Sequence, residues 1–166
     1  MATNTTNLRV MLDANVLIAG IVWPRWPYEV LRHALLGDFQ LTLSQYVINQ
    51  ARRRIENRFP THVQRLEEFL RDSGFEPVGE PTVEQLVQYK RLVRDETDVP
   101  IVLAALNASV DYLISEDKDL TTRDATTAEL HKHLTILLSG TFLREVMGWT
   151  SEELENVRGR TWRDLA

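Results

Sequence analysis

The sequence predicts an α/β domain with a mainly parallel central sheet, and three observations lead to it. Short apolar, β-capable runs alternate along the chain with segments of helical periodicity. The clearest of these runs are continuously apolar, which suits strands buried on both faces. Two of them lead into acidic residues, and in such sheets functional groups gather where the strands end.

Taken in order, residues 8–13 form the first apolar run and end on Asp13. Residues 15–22 continue at helical spacing until Trp23-Pro24-Arg25-Trp26-Pro27 breaks the chain, because Pro cannot continue a helix interior. Pro27 suits the first turn of a helix through Leu36, with Gly37 as its stop. Residues 39–43 read as a second strand. Ser44 is a good N-cap for a helix reaching about Arg58, ended by Pro60. Residues 61–72 are amphipathic, with Val63, Leu66, Phe69 and Leu70 on one side. Residues 75–81 read as extended, 83–93 as helical and 98–108 as a strongly apolar helix. Residues 110–115 form a strand that runs into the acidic turn Glu116-Asp117-Lys118-Asp119. Residues 134–138 give a last strand, and two short helices follow, near 141–147 and from Ser151 on.

The 166 residues amount to about one domain, and 43% hydrophobic with 26% charged residues is ordinary for a soluble globular chain. Such a chain needs no disulfide or structural metal to fold. The absence of cysteine excludes a disulfide scaffold, a thiolate zinc site and a cysteine nucleophile, and fits a reducing compartment. No apolar run approaches the roughly 20 residues of a membrane span. Residues 1–7 are small and polar without a signal-peptide pattern, so a disordered tail and a cytoplasmic location are expected. The net charge of -5 does not advertise a nucleic-acid binder, although local patches matter more than the sum. Gly-rich phosphate loops, nucleophile elbows and Walker patterns are absent from the sequence.

Asp13 and Asp117 follow two of the strands, and Asp98 opens the helix that feeds the second of these. Parallel connectivity can bring all three to one edge. Carboxylates about 4 Å apart repel by about 1 kcal/mol in water and several times more in a drier site. A divalent cation relieves that repulsion, and oxygen ligands favour Mg²⁺ or Mn²⁺ over zinc. Such an ion keeps water that can attack a phosphodiester. The plainer reading is that strand-end acids cap helices or sit in solvated turns, and Asp98 suits an N-cap.

These residues resemble a known family. Leu12-Asp13-Ala14-Asn15-Val16-Leu17-Ile18 is similar to the opening motif of PIN domains. Asp95-Glu96-Thr97-Asp98 with the apolar stretch over 101–108 resembles their third-acid helix, and the run from Tyr112 to Leu120 resembles their fourth-acid motif. The resemblance spans roughly residues 8–143. It implies a three-layer α/β/α sandwich and a metal-dependent ribonuclease site using Mg²⁺ or Mn²⁺. The subgroup it looks closest to comprises toxins of prokaryotic toxin–antitoxin pairs. By the same resemblance Asp13, Asp98 and Asp117 match metal-binding acids. Asn15 and Ser115 match their polar companions, and Asp119 matches a frequent extra acid.

One position departs from that pattern. PIN domains usually carry a second acid about six residues past the Ser that opens the helix after the second strand, and here that position is Gln50. Its oxygen can ligate a metal but adds no charge. Glu56 lies out of register, about 120° round the helix from Gln50.

Beside Gln50, Arg52, Arg53, Arg54 and Arg58 form a basic stretch that would hold RNA phosphates, as would Lys118; the plainer alternative is a solvated face with ion pairs to Glu56. Trp23 and Trp26 could stack unpaired bases or serve packing. His131 and His133 would point the same way on a strand. The leading expectation is a PIN-type endoribonuclease, a toxin with RNA as substrate and a protein antitoxin as partner. The alternative is a PIN-fold protein weakened in catalysis by Gln50 that binds RNA or a protein. A phosphatase using Asp13 as nucleophile would want a second Asp at position 15, where Asn15 stands. A homodimer is expected from Trp23, Trp26, Trp149 and Trp162. The domain is expected over residues 8–148, with a helical extension over 149–166.

Overall fold

The apolar strand β1 (Arg9–Leu12) runs through the centre of a five-stranded, all-parallel sheet in a computed structural model that describes residues 8–125 and 127–166. The tail expected over residues 1–7 lies outside the described residues. Helix α1 (Ala14–Val22) follows β1 directly, and α2 (Trp26–Leu35) follows the Pro-containing break. Next come β2 (Gln40–Ser44), α3 (Gln45–Arg58), a 3-10 turn at Pro60–His62, α4 (Val63–Asp72) and β3 (Glu76–Val78). After α5 (Val83–Gln88), a 3-10 turn at Glu96–Asp98 leads into α6 (Val99–Ala108) and β4 (Tyr112–Ile114). The chain ends with α7 (Lys118–Thr121), α8 (Ala128–His131), β5 (Thr135–Leu137), α9 (Ser139–Glu145), α10 (Ser151–Val157) and a 3-10 turn at Trp162–Leu165.

The strand order is β3-β2-β1-β4-β5. Arg9 aligns with Gln40 on one side of β1, and Leu12 with Ile114 on the other. The order therefore reverses at β1, and right-handed crossovers place the helices of the two halves on opposite faces. The crevice at such a switch point, between the carboxyl ends of β1 and β4, is where this class of sheet builds sites. Val10, Met11, Leu12, Leu41, Leu43, Leu113 and Ile114 are buried in the shared core. Helix α1 lies close on α2 because residue 20 is glycine: a Cβ there would come within 2.6 Å of Leu31 Cδ1.

Two expectations about elements need correction. The helix expected over 83–93 stops at Gln88, because none of its residues is buried and a short helix without tertiary packing is marginal. The strand expected over 110–115 is shorter: Ser109 takes a left-handed φ of 53°, and the Asp111 carboxylate accepts from Arg9 N–H at 2.8 Å.

Residues 149–166 fold back on the α1–α2 corner. Trp162 Nε1 donates to Val22 O at 2.8 Å, and Trp149 Nε1 donates to His33 Nε2 at 2.9 Å. Trp26 Nε1 donates to Leu154 O at 2.9 Å, and Arg160 reaches the buried Glu29 at 2.9 Å. Three of the four tryptophans expected to cover a dimer face, and Trp26 as a base-stacking platform, are thus used inside the chain, as buried indole N–H groups demand partners. Trp23 stays 40% exposed, edge-on to Phe59. Among the described residues no helix is long and apolar enough to cross a membrane.

Candidate active site

The site starts from ladder bonds that run one residue past the strands. Asp13 N–H donates to Ile114 O at 3.0 Å, and Ser115 N–H donates to Leu137 O at 3.0 Å. Asp13 and Ser115 are thereby set side by side at the switch point. The Ser115 hydroxyl, fully buried, donates to Asp13 Oδ2 at 2.8 Å and accepts from Asp117 N–H at 3.0 Å. Asp117 Oδ1 in turn accepts from Asp119 N–H at 2.8 Å, opening α7. Burial pushes the Asp13 carboxyl above its ordinary range; the Ser115 hydrogen bond and the N–H groups of Ala14 and Asn15 oppose this, while Asp117 adds to it.

The third acid arrives from another element. Asp95 Oδ1 accepts from Thr97 N–H at 2.9 Å and from its hydroxyl at 2.7 Å, forming the turn that presents Asp98. The Asp98 side chain makes no capping bond to α6, so it does not act as that helix's simple cap. Its Oδ2 is buried without a hydrogen-bond partner. Burial, then the charge of Asp13 and the facing carboxyl of Asp117, push Asp98 up to about 7. Side chains 13, 98 and 117, from three separate elements, therefore share one electrostatic environment.

Carboxylate oxygens and an unpartnered buried Oδ2 are the donor chemistry of a hard divalent cation. The fit is one of chemistry and not of a finished cage. Among the described residues no three His, Asp or Glu side chains form a group that could hold a metal ion as they stand. Mutual repulsion keeps like charges apart, and Ser115 already holds one oxygen of Asp13.

Helix α3 forms the opposite wall. Ser44 caps it, its hydroxyl accepting from Val47 N–H at 3.2 Å. Gln50 Nε2 donates to the Tyr46 hydroxyl at 3.2 Å, and that hydroxyl donates to Thr97 O at 3.2 Å. Burial raises the Tyr46 phenol above its ordinary value, Asp98 and Asp13 raise it further, and Arg53 opposes them. Sequence reasoning missed Tyr46. The signal was present: four residues before Gln50, it shares that residue's helix face.

Gln50, Arg53, Arg54, Asn57 and Arg58 line an open cavity of about 330 Å³. Arg54 Nη1 donates to Asn15 Oδ1 at 3.0 Å, joining this wall to the residue two past Asp13. Arg52 does not belong here: it pairs with Glu67 on α4 at 2.6 Å, because its position turns it to the other side of α3. Lys118 is exposed at the start of α7. Asp119 is turned to Arg94, 3.6 Å away. His131 and His133 sit at and after the end of α8, not on a strand, and diverge: His131 Nε2 contacts Leu120 O at 3.0 Å, and His133 lies 3.5 Å from Glu129.

No curated protein sequence matches the chain. The family profile of the PIN domain matches residues 9–119, a span that holds Asp13, Gln50, Asp98 and Asp117. PIN domains are generally nucleases and generally use divalent metals. With two-thirds of its length matched and an all-parallel sheet flanked by helices, the chain belongs to the PIN domain family.

Proposed function

We propose that the protein is an endoribonuclease that hydrolyses RNA phosphodiesters with Mg²⁺ or Mn²⁺ at Asp13, Asp98 and Asp117. The observation that carries this reading is the juxtaposition of opposite charges. An acidic cluster sits at the switch point, and an acid-free, arginine-lined cavity lies against it. A bound cation would neutralise the acids and supply a reactive water.

The chain's own residues do the rest. Ser115 fixes one oxygen of Asp13 and leaves the other to ligate. Asp98 offers its unpartnered Oδ2, and Asp117 faces it. Arg53, Arg54 and Arg58 meet the phosphates, Asn15 steadies Arg54, and Lys118 adds a contact from α7. The experiment is cleavage of single-stranded RNA with Mg²⁺ or Mn²⁺, with and without EDTA. Metal-dependent products support the reading; cleavage that survives EDTA contradicts it.

A second reading is favoured by Gln50, which brings no charge and spends its amide on Tyr46. In it the protein binds RNA or a protein partner and cleaves weakly; RNA binding without products would favour it. The toxin role, a protein antitoxin and a cytoplasmic homodimer belong to the proposal as well. A small adjacent reading frame encoding a protein that co-purifies with this chain would support the first two, and light scattering tests the third.

A further inference from the structure

We infer that Tyr46 is a positioning residue for Asp98: its hydroxyl, oriented by Gln50, ties the Thr97 carbonyl to α3 and so fixes the peptide from which Asp98 projects. The consequence for catalysis rests on the metal-dependent nuclease reading; the tie itself does not.

The bonding leaves one arrangement of protons. A phenol has one proton to give and lone pairs to receive. The Thr97 carbonyl can only accept, at 3.2 Å, so the Tyr46 proton goes there. The Gln50 amide nitrogen can only donate, also at 3.2 Å, so it fills a lone pair on Tyr46. A relay thus runs from Gln50 through Tyr46 to Thr97, and each member has a fixed role. Tyr46 is itself well anchored. It follows the Ser44 cap by two residues, its backbone N–H donates to Glu80 Oε1 at 3.0 Å, and its ring packs against the core.

The turn it holds is otherwise supported near solvent. Residues 94–97 are exposed; Arg94 pairs with Asp119 and Asp124 at the start of the turn, and among the described residues the side-chain bonds to residues 95–97 come from Tyr46 and from Asp95 within the turn. The Thr97 carbonyl belongs to the peptide that immediately precedes Asp98. Restraining that peptide restrains where the Asp98 carboxyl points, against the repulsion of Asp13 and Asp117. The relay also gives Gln50 a job. A neutral amide can donate to the phenol; a carboxylate there would accept the phenol's proton and take it from Thr97. Gln50 is then a donor in a positioning relay, not a defective metal ligand.

The test uses the full chain as wild type, Tyr46→Phe, Gln50→Glu and Asp98→Asn, with three readouts. These are amide hydrogen exchange at Thr97 and Asp98, calorimetric Mn²⁺ titration, and steady-state RNA cleavage. Tyr46→Phe keeps the ring, so the urea midpoint should barely move. Exchange at both amides should rise, and Mn²⁺ affinity should fall about 10-fold, the size of loss typical when a ligand's supporting partner goes. The kcat should fall with KM for RNA unchanged. Gln50→Glu should shift all three readouts in the same direction, and Tyr46→Phe should add nothing to Asp98→Asn in Mn²⁺ affinity. Unchanged exchange in Tyr46→Phe overturns the inference, as does faster exchange with wild-type Mn²⁺ affinity, or tighter Mn²⁺ binding in Gln50→Glu. If the wild type binds no Mn²⁺ and cleaves nothing, the nuclease reading fails, and exchange alone judges the tie.

Discussion

The two halves of the acidic site are held in different ways. Asp13 and Ser115 stand at the ends of adjacent buried strands, 4% and 0% exposed, and their backbones continue the sheet's own ladder. Asp98 is half-buried in a turn, and Tyr46 on another helix steadies it through the Thr97 carbonyl, 51 residues away in sequence from that tyrosine. The strand-end half inherits its geometry from the core and cannot move without disturbing the sheet. The helix-start half depends on side-chain bonds near solvent. In the proposed metal site, carboxylates fixed by the core would be joined by one adjustable carboxylate from a turn, which suits charges that repel until a cation arrives.

The largest expected effect comes from the fixed half. Asp13→Asn should cost at least about 100-fold in RNA cleavage, more than the loss of an outer partner of a ligand, while Asp119→Asn should leave the rate near wild type because Arg94 engages that carboxylate. Ser115→Ala should destabilise the fold by about 1–3 kcal/mol in urea unfolding, because a buried carboxylate oxygen loses its donor. Equal stability in Ser115→Ala would erase the distinction drawn between the two halves.

The adjustable half should show itself in pH. Folding raises the Asp98 carboxyl from an ordinary 3.8 to about 7, so the folded chain holds this proton more tightly than the unfolded one. In EDTA, the contribution of Asp98 to stability should be present below about pH 4 and lost as pH rises through about 7. The difference between wild type and Asp98→Asn in urea unfolding should therefore shift against the wild type across that window. A difference independent of pH would contradict the environment assigned to Asp98. The smallest effect belongs to the basic wall. Arg54→Ala should weaken binding of single-stranded RNA and lower its salt slope by about 0.7, one phosphate contact, whereas Arg52→Ala should change neither.

The strand-end half was legible in the sequence, and the rest much less so. Continuous apolar runs ending in Asp13 and in Ser115 through Asp117 are local patterns, and a parallel sheet brings such ends together. Ser44 as an N-cap was legible for the same reason. What escaped were contacts set by register between distant elements. Tyr46 looks like any aromatic on a helix until α3 is laid against the turn before α6. Arg52, Arg53 and Arg54 are indistinguishable as a run, and only the packing of α4 turns Arg52 away to Glu67. The tryptophans looked like spare surface because their partners, Val22 O, His33 and Leu154 O, lie more than 100 residues away in sequence.

The claim that acids from three separate elements act as one metal-dependent site is tested most directly by single-stranded RNA cleavage in Mn²⁺, comparing wild type with Asp13→Asn, Asp98→Asn and Asp117→Asn. Wild type should cleave, EDTA should stop it, and each single variant should lose nearly all activity while remaining folded. Wild-type cleavage by Asp98→Asn would contradict the claim, because it would leave the strand-end pair to act without the residue that α3 and the turn hold in place.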